Sequence, residues 1–301
     1  MNTRPVSTYT TPAQLNKLLP KAFTDAESAS MATEYGAYYA YILDDCFAYS
    51  KIIEDKTQRT FVPYAAEKVY YFRDLVAAGD WYVADGRYVL RLDEDLLAVD
   101  SIDLNGTDMD TDTYYLADMN ARPNAYPYRS IVFDSDEVPT WDTGFSTCIT
   151  ITGEWGVQDN SSDAYETVGV LAAAVSSTTA TTLSVASANL YNVYDYLRID
   201  DELMLVTALT PNGTPQTLTV KRGVNGFTAA THENAASITR WCVVSDVRKL
   251  ATKMVAYAYQ RRSDAGERAQ WINDSLVIAE FDKELSQIAD RRRYGRVAEA
   301  I

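Results

Sequence analysis

A single histidine, His232, stands in this chain of 301 residues, beside only three cysteines. That scarcity excludes much. A Ser-His-Asp triad would have to use His232, and no Gly-x-Ser-x-Gly elbow presents a serine to it. His232 falls in the polar stretch 229–234, where a structural histidine, buried with partners or exposed, is expected. Cys46, Cys148 and Cys242 lie far apart without C-x-x-C spacing, which argues against a zinc site and a disulfide framework. They read as small apolar residues in a reducing compartment. No apolar run reaches the roughly 18 residues of a membrane-spanning helix. Met1-Asn2-Thr3-Arg4-Pro5 leads into polar residues, so no secretory signal is expected. Positive charge is short as well: 27 Lys+Arg face 42 Asp+Glu, a net −15. Coating of nucleic acid is driven by Lys and Arg and is therefore disfavoured.

What remains is enough apolar residue, 47%, to build a packed core. Residues 1–10 read as an extended arm. Thr11-Pro12 opens a short helix over Ala13 to Leu19, with proline in the first turn where its missing N–H costs nothing. Thr24-Asp25-Ala26-Glu27 has the form of a capping box. After it, Met31, Tyr35, Tyr39, Ile42, Leu43, Cys46, Phe47 and Ile53 recur at helical spacing on one face. From Thr60 the period shortens. Val69, Tyr71, Val83, Tyr88, Leu90 and Leu92 fall in short alternating runs broken by Gly79, Asp85-Gly86 and Asp93-Glu94-Asp95. Leu96 to Leu104 predicts a further strand, ended by the hairpin signal Asn105-Gly106. Strands follow over Thr113 to Leu116, Ser130 to Phe133 and Thr147 to Thr152.

The stretch Cys148 to Val157, C-I-T-I-T-G-E-W-G-V, organises the rest. Gly153 to Gly156 is expected to end the sheet. Residues 158–242 then change character: short strands over 167–175, 182–185, 196–199, 203–209, 218–222 and 237–241 alternate with turns, as in a small barrel or sandwich. Ser245-Asp246 caps a helix running to about Arg262, with Val247, Leu250, Ala251, Met254 and Ala258 on one face. After Gly266 a second helix carries Ile278, Phe281, Leu285 and Ile288. The fold class this predicts is α+β, a helical domain with a small antiparallel sheet interrupted by an inserted all-β module. The domains are 1–157, 158–242 and 243–301. Gly153, Trp155 and Gly156 form the junction, Trp155 packing the strand end against the helix that begins near Ser245.

Charge is uneven along the chain. From Arg240 onward there are 12 Lys+Arg against 9 Asp+Glu, and 15 against 33 before it. Arg291, Arg292, Arg293 and Arg296 make the one basic cluster, which either meets an acidic partner or is a solvated helix end. Other candidate chemistry is thin. Asp108-Met-Asp110-Thr-Asp112 opens like a calcium loop but has Thr113 where the loop needs glycine and Met119 where it needs glutamate. Asp200, Asp201 and Glu202 read as solvated turn charges with no partner base near in sequence. Arg222-Gly223-Val224-Asn225-Gly226 lacks the Lys-Ser/Thr and helix of a phosphate loop. No catalytic constellation emerges, and no metal or cofactor is expected.

Several stretches resemble the head-to-tail connector (adaptor, head completion) proteins of tailed bacteriophages. They are Ile52 to Pro63 (I-I-E-D-K-T-Q-R-T-F-V-P), Leu96 to Leu116 (L-L-A-V-D-S-I-D-L-N-G, ending Y-Y-L), Tyr126 to Phe133 (Y-P-Y-R-S-I-V-F) and Ile149 to Gly156 (I-T-I-T-G-E-W-G). In that family a helix follows T-G-x-W-G directly; here it is delayed to Ser245, as an insertion would cause. The inserted stretch is similar to a small β domain of phage virion proteins, through Leu197 to Thr207, Leu218 to Gly226 and His232. The resemblance implies a helical connector domain and a non-enzymatic structural protein of the virion neck, assembled in the host bacterial cytoplasm. It implies a homo-oligomeric ring, typically of twelve, between the portal protein and a tail terminator or next neck protein. Packaged double-stranded DNA would pass through the lumen without sequence-specific contacts, and no membrane is involved. On this reading Arg291, Arg292, Arg293 and Arg296 dock on the portal. An alternative is a virion binding module whose inserted β domain recognises a carbohydrate, a capsid protein or a tail protein through Tyr191, Tyr194, Tyr196 and Trp241.

Overall fold

A computed structural model describes residues 8–18, 36–118, 128–134, 148–159, 164–264 and 274–292. The chain divides into two compact units, 63–163 on one hand and 1–62 with 164–301 on the other. The units meet at 62/63 and 163/164, whereas the sequence pattern suggested 157/158 and 242/243.

The first unit is a seven-stranded antiparallel sheet. Its strands are β1 (Tyr64–Tyr71), β2 (Trp81–Ala84), β3 (Arg87–Leu104), β4 (Thr107–Asp108), β5 (Tyr114–Ala117), β6 (Tyr128–Phe133) and β7 (Cys148–Trp155). The order is β1-β7-β3-β6-β5, with β2 and β4 also paired to β3. β3 is the spine, 18 residues long. The run Asp93-Glu94-Asp95, expected as a turn, lies inside it. Partners offset the acidic run: Arg129 Nε donates to Asp95 at 2.7 Å, Lys68 lies 3.2 Å from Glu94, and Tyr70 donates to Asp93 at 2.5 Å. The pairing of β3 to β6 shifts register between Arg91 and Leu96, so the long strand is irregular there without breaking. Tight two-residue turns follow the sequence signals: Asp85-Gly86 joins β2 to β3, and Asn105-Gly106 joins β3 to β4. Alternation along β7 buries Ile149, Ile151 and Trp155 with Leu90, Leu92, Leu96, Ile102, Ile131 and Phe133 in one core. A short helix, α3 (Phe72–Ala78), adds Leu75 to it.

The second unit joins helices to a six-stranded antiparallel sheet. Its helices are α1 (Pro12–Leu18), α2 (Gly36–Thr57), α4 (Ser245–Asp264) and α5 (Asp274–Arg292). α2, α4 and α5 pack on one another, and α1 lies against α4 and α2. The helical spacing read in the sequence is what buries Ile42, Cys46 and Ile53 on α2 and Val247, Leu250, Ala251, Met254 and Ala258 on α4. The buried segment 8–11 crosses these helices: Tyr9 N–H donates to Ser50 at 2.8 Å, the Tyr9 hydroxyl to Glu54, and Thr10 and Thr252 hydroxyls meet at 2.7 Å. The Thr24 to Glu27 capping box lies outside the described residues.

The sheet of this unit has the order β8-β13-β10-β11-β12-β9. The strands are β8 (Tyr165–Val170), β9 (Thr182–Val185), β10 (Tyr196–Ile199), β11 (Glu202–Thr210), β12 (Gln216–Lys221) and β13 (Ser237–Trp241). A bridge between Leu171 and Val185 links the two outer strands, so the sheet curls into a small barrel. Inside it lie Leu183, Leu197, Ile199, Met204, Val206, Leu218, Val220 and Ile238. Its two ends are adjacent: Tyr165 pairs with Trp241, and Cys242 N–H donates to Ala164 O at 2.9 Å.

The architecture corrects the expected fold class. Two antiparallel sheets of seven and six strands dominate the described chain, and the helices are few, so residues 1–157 do not form a helical domain carrying a small sheet. The difference has a physical source: the polar run Asp93-Glu94-Asp95 inside β3 disguises the length of the central strand.

Candidate functional site

The densest polar arrangement in the described residues is built around His232, Glu202 and Arg222. Asp200 and Asp201 form the two-residue turn between β10 and β11, with Asp200 at φ 51°. The turn delivers Glu202 to the first position of β11, where it is fully buried. β12 ends at Lys221, so Arg222 follows it directly, and Gly223 at φ 53° turns the chain into the loop that returns at His232. His232 is fixed by its backbone, since its N–H and C=O exchange hydrogen bonds with Val175 at 3.0 and 2.8 Å.

Glu202 collects five donors. Arg222 Nε and Nη2 reach its two oxygens at 2.6 Å each, a fork-to-fork pair. Gly223 N–H and Ala230 N–H add bonds of 2.9 Å each, and His232 Nε2 lies 2.9 Å from Oε2. Burial pushes the Glu202 carboxyl up, but Arg222, the Ala230 N–H, His232 and the Gly223 N–H together outweigh burial and hold it below the ordinary glutamate value. Arg222, whose side chain is 5% exposed, also donates to the Ser177, Ala180 and Ala230 carbonyls. The other imidazole nitrogen, Nδ1, lies 2.7 Å from Asp200, whose side chain is 61% exposed.

This geometry decides what the histidine can do. A general base in a hydrolase stands between a carboxylate and a nucleophile. His232 stands between two carboxylates, with neither ring nitrogen directed to a hydroxyl or thiol. Carboxylates accept and do not donate, so both bonds are made only when both nitrogens carry protons. The arrangement is a latch that ties the β10–β11 turn, the end of β12 and the loop 222–232 together. Glu202 is therefore not a solvated turn charge, as its neighbours suggested; Asp201 alone of the three is fully exposed.

The remaining candidates fall elsewhere. Tyr191 and Tyr196 are buried, Tyr191 in the barrel core, and Trp241 is buried with its indole N–H donated to Phe61 O at 2.9 Å and its ring edge-on to Tyr165. Half-buried Tyr194 lies 4.6 Å from the Phe47 ring. These rings hold the unit together, and three of the four expose too little surface to grip a partner. Gly153 does not end the sheet: β7 runs on to Trp155, and Gly153 pairs with Ala66 on one side and Val99 on the other. A Cβ there would meet the Ala98 carbonyl oxygen inside 3.0 Å, so close strand approach is what requires glycine. Trp155 is fully buried in the core of its own sheet, donating to Ala66 O at 3.1 Å with Lys68 over its ring. Gly156, at φ 147°, follows the strand and still donates its N–H to Asp95 O of β3 at 3.0 Å. Arg291 and Arg292 end α5, and Arg293 and Arg296 lie outside the described residues. In the Asp108–Asp112 stretch, Asp110 caps a single 3-10 turn by accepting from Asp112 N–H. Among the described residues no three His, Cys, Asp or Glu side chains gather as a metal site, and no helix is long and apolar enough to cross a membrane.

No family model, no curated protein and no solved structure matches this chain.

Proposed function

We propose that the chain is a ring-forming structural subunit of the head-to-tail connector of a tailed bacteriophage, placed between portal and tail around the DNA channel. The observation that carries this reading is the arrangement of the connector-like stretches. Leu96 to Leu116, Tyr126 to Phe133 and Ile149 to Gly156 contribute the neighbouring strands β7, β3, β6 and β5 of one sheet, so pieces scattered in sequence belong to a single structural element. The net charge of −15 suits a channel along which DNA slides, because acidic walls repel phosphates. A closed ring needs a head-to-tail interface, and exposed apolar residues such as Leu276 on α5 offer material for one.

The latch around Glu202 fits a structural rather than a chemical task. The aromatic contacts of the alternative binding-module reading are mostly buried, so they lend it no support. The proposal is tested on assembled particles. Antibody or gold label against this chain should mark the neck in electron micrographs, and label found only on the capsid shell or the tail tip would refute it.

A further inference from the structure

A cleft of about 250 Å³ opens in the helix-and-barrel unit, apart from the Glu202 latch. It is lined by three cations from three separate elements: Lys17 in the last turn of α1, Arg240 on β13 and Arg248 in the first turns of α4. Two carboxylates face them: Glu166 pairs with Arg240, and Asp195 pairs with Arg240, accepts from Asn192 and is also felt by Lys17. Arg240 donates to Asp195 at 3.1 Å, to Glu166, and to the Leu190 carbonyl at 3.2 Å. Lys17 and Arg248 have no ion-pair partner among the described residues. The cleft thus holds a surplus of positive charge in a strongly acidic chain.

Two electrostatic effects bear on this charge balance. Burial is the main cause that holds Arg240 below its ordinary value; Cys242 opposes it, and Arg248 adds to it as a like charge. Asp195 is pushed up to about 7 by burial, against the Asn192 hydrogen bonds and Lys17, so part of its negative charge is lost near neutral pH. Arg240 at 3.1 Å opposes that rise, and the close ion pair argues that the carboxylate form is still substantial. Asp195 and Glu166 offset Arg240 directly, while Arg248 and Lys17 have no ion pair of their own among the described residues. An anion placed between Arg248 and Lys17 would supply one.

We propose that this cleft is a binding site for a small oxyanion of the phosphate class, held chiefly by Arg248 and Lys17 with Arg240 behind them. The volume is below that of sites for drug-sized ligands, roughly 300–1,000 Å³, so the ligand is inorganic phosphate or a compact phosphomonoester. Donors approaching from separate elements suit a tetrahedral ion better than a planar carboxylate, which is satisfied by a single fork. The inference is independent of the connector reading.

Titration calorimetry on the full chain tests it, with inorganic phosphate, acetate and a nucleoside monophosphate as probes. Phosphate is expected to bind one site, with acetate at least tenfold weaker. Lys17→Ala and Arg248→Ala should each weaken phosphate by about tenfold, with unchanged far-UV circular dichroism as the folding control. Tighter binding of the monophosphate assigns the ester, and equal or weaker binding assigns the free ion; both support the site. Acetate binding as tightly as phosphate, no phosphate binding, or equal binding by the Lys17→Ala, Arg248→Ala double variant would overturn it.

Discussion

Replacing Glu202 with alanine should cost about 3–5 kcal/mol, the usual consequence of removing one partner of a buried ion pair. The reason lies in what is left behind. Arg222 stays buried with its guanidinium uncompensated, His232 loses one carboxylate, and the Gly223 and Ala230 amides lose their acceptor. A domain typically holds only about 5–15 kcal/mol in total, so the barrel should be largely unfolded in mild urea. Urea melts followed by tryptophan fluorescence measure this, since Trp241 reports on the barrel's end. Replacing Glu202 and Arg222 together with methionine should recover a large part of the loss, because a well-packed apolar pair needs no charge partner. A loss below about 1 kcal/mol for the alanine variant would mean the pair is solvated and the latch is not built as described.

The same residue sets an acid limit. Its folded carboxyl is held below the ordinary value, so its contribution is present above the unfolded glutamate pKa of about 4.3. That contribution is lost as pH falls through the folded value. The stability gap between the native chain and Glu202→Gln should therefore shrink as pH falls below about 4. A gap that does not change with pH would assign the latch to hydrogen bonding alone.

The second large effect belongs to Gly153→Ala. The added methyl meets the Ala98 carbonyl oxygen, a backbone atom that cannot rotate away. Relief requires β7 and β3 to part at the centre of the sheet. Overpacking of a core costs about 1–3 kcal/mol, and this case should lie at the upper end, about 3 kcal/mol. Gly106→Ala is the control. It lies at φ 86° with nothing within 4 Å, so it carries only the left-handed strain of about 1–2 kcal/mol. Equal losses for the two variants would show that strand approach at Gly153 is not the constraint.

The sequence was informative wherever structure is local. Asn105-Gly106 and Asp85-Gly86 announce their hairpins, Pro12 its helix start, and the boundaries of β9, β10 and β13 follow the turn residues that flank them. It was misleading where polar residues are satisfied by distant partners. Asp93-Glu94-Asp95 looks like a turn because its partners Lys68 and Arg129 lie 25 or more positions away. Phe72–Ala78 is too short to show a helical period and was missed. Glu202 and His232 are 30 residues apart, so nothing in their neighbourhoods joins them, although Arg222 beside Gly223 is a residue that seeks a planar anion. Gly153 looked like a turn glycine, since a close approach of two backbones leaves the same mark on a sequence as a bend. Lys17, Arg240 and Arg248 lie on three separate elements, so nothing in their sequence neighbourhoods joins them.

The connector reading stands or falls on assembly. On the proposed connector function, purified chain mixed with a phage portal protein should form closed rings, seen by negative-stain microscopy as end-on circles stacked on portal, with a subunit count by mass matching portal's cyclic symmetry or a simple ratio to it. Only free monomers across the full range of concentrations, with portal present, would contradict it.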